Sequence, residues 1–248
     1  MHQEKTFLDK FYLLFIFLIA TGIDCYFIYK QNHYNRLYTK PLEMLSLMLW
    51  FFNNTAFNIQ SSAESFGARA AFYGFAFFTW IADIASFFAK EIIGVACLLT
   101  YMLSYIILVY LLFSVQQFAP KEMRFHLHVS KLWIPLVVMA IISLLVIHKV
   151  AGFQATPFHI AVDVHAIILT LLALITANMW GVKETKKMRP LFTMGIMALI
   201  TANIIYANDE LIYHHCHPAF SVAFAIFNCL GFVFTTLGVI KFIRFKKG

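Results

Sequence analysis

The chain has 248 residues, 61% of them hydrophobic and only 12% charged, with a mean hydropathy of +0.77. A soluble domain carries about 25% charged residues, so half that share excludes a water-coated globule and points to a bilayer. The net charge of +7 is scattered between apolar runs rather than gathered in one basic domain. That distribution argues against nucleic-acid binding and reads as topology signals and contacts to anionic headgroups.

Helices and closed barrels are the two structures that satisfy every backbone polar group inside lipid. The apolar runs are 17 to 25 residues long, whereas barrel strands alternate over about ten. The expected fold is therefore all-α: a polytopic membrane protein of eight transmembrane helices in one bundle, with residues 1–248 as a single membrane domain.

The first span, 11–29, has a basic start at Lys5 and Lys10 but no small-x-small cleavage site after it, so it reads as an uncleaved helix. The second, 41–57, opens at Pro41 and is interrupted by Glu43, Asn53 and Asn54. The remaining spans are 68–88, 93–117, 132–148, 159–181, 190–206 and 220–243, with Pro157 and Pro190 at or before helix starts. The four cysteines, Cys25, Cys97, Cys216 and Cys229, show no CxxC spacing, and one disulfide on the outer side stays open.

Of the 19 lysines and arginines, 14 fall at the amino terminus, in the even-numbered loops and in the carboxyl tail. The odd-numbered loops hold Lys30, Arg36, Lys40, Lys90 and Lys149. Positive residues stay inside, so both termini are expected in the cytoplasm and the protein in the plasma membrane.

With that orientation, the ionisable groups near membrane depth gather in the outer leaflet: Asp24, Lys40, Glu43, Asp83, Asp163, His165 and Asp209, with Asn203 beside them. Each costs roughly 2.5–3.5 kcal/mol to place in hydrocarbon, so their gathering suggests a shared polar site. Asp24, His148 and His159 read as helix-end groups reaching the headgroups. Asp83 lies too deep for a short side chain to do so and requires a partner.

Residues 38–45, Tyr-Thr-Lys-Pro-Leu-Glu-Met-Leu, resemble the signature that opens the second helix of the YhhN-type, or lysoplasmalogenase, family of eight-helix membrane proteins. Ala82-Asp83 stands where that family has Gly-Asp, and Gly94 precedes Tyr105 by the family spacing. Gly195 leads to Ala202-Asn203 where the family has Ser-Asp. Met102 replaces a family histidine and Asn203 the second aspartate.

The resemblance implies hydrolysis of a lysolipid vinyl-ether bond by a membrane-embedded aspartate, without a cofactor. A carboxylic acid delivers the proton to the enol-ether carbon and a second group activates water. It implies catalytic roles for Asp83, Asn203 and Lys40, with Tyr101, Tyr105, Asp163 and Asp209 contacting substrate. The expected partner is a lysophospholipid or another membrane lipid.

Asn203 can orient water but cannot take its proton, so Asp209 or Asp163 is the candidate replacement. Two other readings stay open: a catalytically silent lipid-binding or interaction protein on the same fold, and a small proton- or metal-coupled transporter. His159, Asp163 and His165 suit a proton relay or a structural hydrogen-bonded group. His214-His215-Cys216-His217 has metal-ligand residue types but reads as a solvated loop.

Overall fold

The computed structural model describes residues 7–55, 63–88, 91–117, 157–181, 185–212 and 218–245. Among these, seven α-helices follow in order: α1 (Phe7–Tyr29), α2 (His33–Thr55), α3 (Ala63–Ser86), α4 (Glu91–Gln117), α5 (Pro157–Asn178), α6 (Arg189–Ile212) and α7 (Pro218–Phe245). A 3-10 turn, Met179–Gly181, extends α5. Seven of the eight expected spans fall on these helices. The fifth, 132–148, lies outside the described residues.

Among the described residues, five helices are long and apolar enough to cross a membrane, over Phe11–Tyr29, Ala96–Gln116, Asp163–Gly181, Arg189–Tyr206 and Pro218–Arg244. Their surfaces agree. Along α4 the large side chains of Leu99, Leu103, Ile106 and Tyr110 are exposed, a continuous apolar stripe that suits acyl chains and would be a liability in water. The opposite face of α4, with Leu108, Leu111 and Leu112, is fully buried. The described residues are those of an all-helical membrane protein.

The second helix corrects one expectation: it opens at His33, not at Pro41. Asn32 supplies the reason, because its side-chain oxygen accepts the Asn35 backbone N–H at 3.2 Å and caps the first turn. The same residue closes α1, donating its N–H to the Phe27 carbonyl at 2.9 Å while Gln31 donates to Ile28 at 2.9 Å. Gln31 takes the left-handed conformation such a helix ending requires, with φ 53°. Pro41 is thus carried inside the helix, where it removes one backbone hydrogen bond. The tight turn brings Arg36, Thr39 and Lys40 back alongside the end of α1.

Contacts fix the helix directions. Phe192 meets Gly238, Gly195 meets Thr235, and Leu199 meets Gly231, so α6 and α7 are antiparallel. A Cβ at residue 195 would fall 2.5 Å from Thr235 Oγ1 and 2.8 Å from its backbone nitrogen. Only glycine permits that approach, the small-residue packing by which helices associate in lipid. Helices α4 and α5 are parallel: Tyr105 faces His165 near one end, and Gln116 bonds Ile175 and Asn178 near the other. Helix α7 packs on α1, α2, α3 and α6, the middle of the bundle.

Aromatic packing fills the interior. Phe51 and Phe72 have ring centroids 4.0 Å apart, and Phe75 of α3 lies between Tyr105 of α4 and Phe232 of α7, at 6.4 and 5.7 Å. This aromatic layer lies beneath the polar groups at the end of the bundle where α1, α3 and α6 finish and α2, α4, α5 and α7 begin.

Candidate functional site

Two polar networks share that end of the bundle. The first belongs to the α1–α2 hairpin. Asp24, 0% exposed, accepts hydrogen bonds from Arg36 Nε at 3.0 Å, Arg36 Nη2 at 3.4 Å and Thr39 Oγ1 at 3.1 Å. Lys40 Nζ stands 3.3 Å from Asp24 Oδ2 and 3.0 Å from Glu43 Oε2. Asp24 is therefore no helix-end group reaching for headgroups, as its position suggested. It is the buried centre of an ion cluster. Arg36 also covers the Phe87 ring at 5.3 Å, tying the hairpin to the segment after α3.

The second network joins α3, α4, α5 and α6. Asp83, 7% exposed, accepts a hydrogen bond from the Tyr101 hydroxyl on Oδ1, and its backbone carbonyl accepts from Ser86 Oγ at 2.6 Å. Asp83 has the inward partner its depth required. Asn203 Nδ2 donates to Tyr105 Oη at 2.9 Å and to the Leu199 carbonyl at 2.8 Å. Asn203 Oδ1 lies 3.0 Å from His165 Nε2. The imidazole and the Tyr105 ring meet edge-on, with centroids 5.2 Å apart.

The two networks act on each other through space. Lys40, Asp24 and Arg36 all contribute to the electrostatic field at Asp83, and Asp83 contributes to the field at Tyr105. Lys40, Asp83, Tyr101, Tyr105 and Asn203 thus occupy one polar layer. The layer contains three carboxyl groups, Asp24, Glu43 and Asp83, and two fixed cations, Arg36 and Lys40. Such charges are tolerated in a low-dielectric interior only when paired and hydrogen-bonded.

Asp163 is half-buried at the opening of α5, on the same helix as His165 but outside the bonds just described. The side chains of Asp209 and His159 lie outside the described residues, as do His148 and the whole 213–217 tract. Among the described residues no group of three or more His, Cys, Asp or Glu side chains is arranged to hold a metal ion. Cys25, Cys97 and Cys229 are free thiols.

Two members of the layer carry a role that residue type alone did not suggest. Arg36, counted as an outer-loop charge, is Asp24's main partner. His165, grouped with Asp163 as a relay, bonds Asn203 instead. Compared with protein-family models, with curated proteins and with solved structures, the chain matches none.

Proposed function

We propose that the protein is an eight-span enzyme of the plasma membrane, of lysoplasmalogenase type, whose outer polar layer hydrolyses the vinyl-ether bond of a lysophospholipid. The parallel packing of α4 and α5 supports the eighth crossing. The end of α4 and the start of α5 lie at opposite ends of the bundle, as a crossing between them requires. The charge asymmetry of the loops supports cytoplasmic termini.

The observation that carries the chemistry is the pairing of Asp83 with Tyr101 inside a polar layer shared with Tyr105 and Asn203. In its acid form Asp83 delivers a proton to the enol-ether carbon. The oxocarbenium ion that results takes up water, and the hemiacetal falls apart to a fatty aldehyde and the glycerophospho product. Tyr101 holds the carboxyl in place. Lys40, already bound by Asp24 and Glu43, acts as a fixed positive charge that stabilises the carboxylate left behind. Asn203 and Tyr105 place the water, and Asp163 and Asp209 sit on the outer side where the headgroup would be received.

The test is purified protein in lipid nanodiscs with a vinyl-ether lysophospholipid, followed for aldehyde, with the ester lysolipid as control. Asp83→Asn is expected to lower aldehyde release about 100-fold or more while the protein stays folded. Unchanged turnover removes Asp83 from the reaction. Retention of lipid in native mass spectra without aldehyde makes the chain a lipid-binding protein instead.

A further inference from the structure

The bonds around Asn203 determine the protonation pattern of its neighbours. The Leu199 carbonyl can only accept a hydrogen bond, so the atom of Asn203 that lies 2.8 Å from it is the amide nitrogen. The opposite atom, 3.0 Å from His165 Nε2, is then the amide oxygen, which also can only accept. His165 Nε2 therefore carries the hydrogen. In a neutral imidazole this leaves Nδ1 as a bare acceptor.

That acceptor is buried and has no hydrogen-bond partner among the described residues, on a side chain only 8% exposed. Buried polar atoms are otherwise nearly always satisfied. Beside it, the Tyr105 oxygen is occupied by the Asn203 amide, while its own proton makes no further hydrogen bond among the described residues. An unspent acceptor and an unspent hydroxyl donor thus belong to two rings in T-shaped contact, with centroids 5.2 Å apart, in the layer that contains Asp83.

We infer that His165 Nδ1 is the proton acceptor of this site and that Asn203 is the positioning residue that fixes its tautomer. The inference rests on the vinyl-ether reading above and supplies the group that reading lacks, because an amide cannot take a proton from water. Asp83 gives its proton to the enol-ether carbon, and the carbon–carbon double bond becomes a carbon–oxygen double bond of the oxocarbenium ion. Water forms a bond to the other, oxygen-bearing carbon and passes one proton to His165 Nδ1, giving the neutral hemiacetal. The imidazolium then returns the proton to the ether oxygen as the carbon–oxygen bond breaks, and the hemiacetal hydroxyl proton goes to the Asp83 carboxylate. Aldehyde and alcohol leave, and both side chains return to their starting forms.

Two measurements on the full chain in nanodiscs test this. Nitrogen NMR of histidine-labelled protein, with the resonance assigned by its loss in His165→Gln, is expected to show a protonated Nε2 and a bare Nδ1. Asn203→Leu is expected to mix the two tautomers. In turnover, His165→Ala is expected to lower kcat about 100-fold with little change in KM, and added imidazole to restore part of the loss. A hydrogen on Nδ1 in the resting protein overturns the assignment, as does wild-type kcat in His165→Ala. If the wild type releases no aldehyde, the vinyl-ether reading fails and the tautomer alone decides whether His165 is the bare acceptor.

Discussion

The two networks at the polar end of the bundle are built on opposite principles. In the α1–α2 hairpin the groups are ions, and nearly every contact is spent on a neighbour close in the chain: Asp24 on Arg36, Thr39 and Lys40, and Lys40 on Glu43. In the α3–α6 network the partners come from four helices. Asn203 reaches Tyr105 and His165 from far along the chain, and acceptor and donor capacity is left over at His165 and Tyr105. A buried charge is therefore a poor marker of chemistry here. The ion network keeps one such atom too, Glu43 Oε1, so the proposed function assigns the reacting groups by their place in the four-helix network, with the ions beside it as a fixed electrostatic frame.

The contrast can be broken most forcefully at Asp24. Asp24→Ala leaves Arg36 and Lys40 buried without their shared anion, a loss of about 3–5 kcal/mol, read as a lowered unfolding midpoint in detergent. Asp83→Asn keeps an acceptor for Tyr101 and is expected to cost no more than about 1 kcal/mol of stability, while the proposed function expects it to remove turnover. Equal unfolding midpoints for the two variants would erase the distinction between frame and reacting group.

A smaller effect is expected at Asn203. Asn203→Leu strands the His165 Nε2 hydrogen and the Tyr105 oxygen, costing about 1–3 kcal/mol in the same unfolding measurement. Smaller still is the turn that sets the hairpin. Gln31→Gly relieves the left-handed strain at φ 53° and is expected to stabilise the fold by about 0.5 kcal/mol. A lowered midpoint there would show that Gln31 carries no such strain.

Much of this was legible in the residues. Apolar runs separated by basic loops locate seven helices, with boundaries off by as much as eight residues, because a bilayer leaves the chain few alternatives. Asp83 was legible as well: a short carboxylate at that depth has no route to the headgroups. The start of α2 was not, since proline usually opens a helix and the cap at Asn32 outweighs that preference. Asp24 was misjudged because its depth suits a helix-end group. Its partners become visible only when a tight turn folds Arg36 back one helix over. His165 was placed beside Asp163 by proximity in the chain, while its real partner comes from another helix, and no spacing rule spans that gap. Gly195, noted as a landmark of a resembling family, has a local reason in the close approach of α7.

The most direct measurement is a double-mutant cycle between Asp83→Leu and Tyr101→Phe, scored by unfolding in detergent. The account requires that Asp83 points inward at Tyr101, so the two losses should be coupled by about 1 kcal/mol or more. Strictly additive losses would mean that the two side chains do not meet, and the polar site built around Asp83 would not exist.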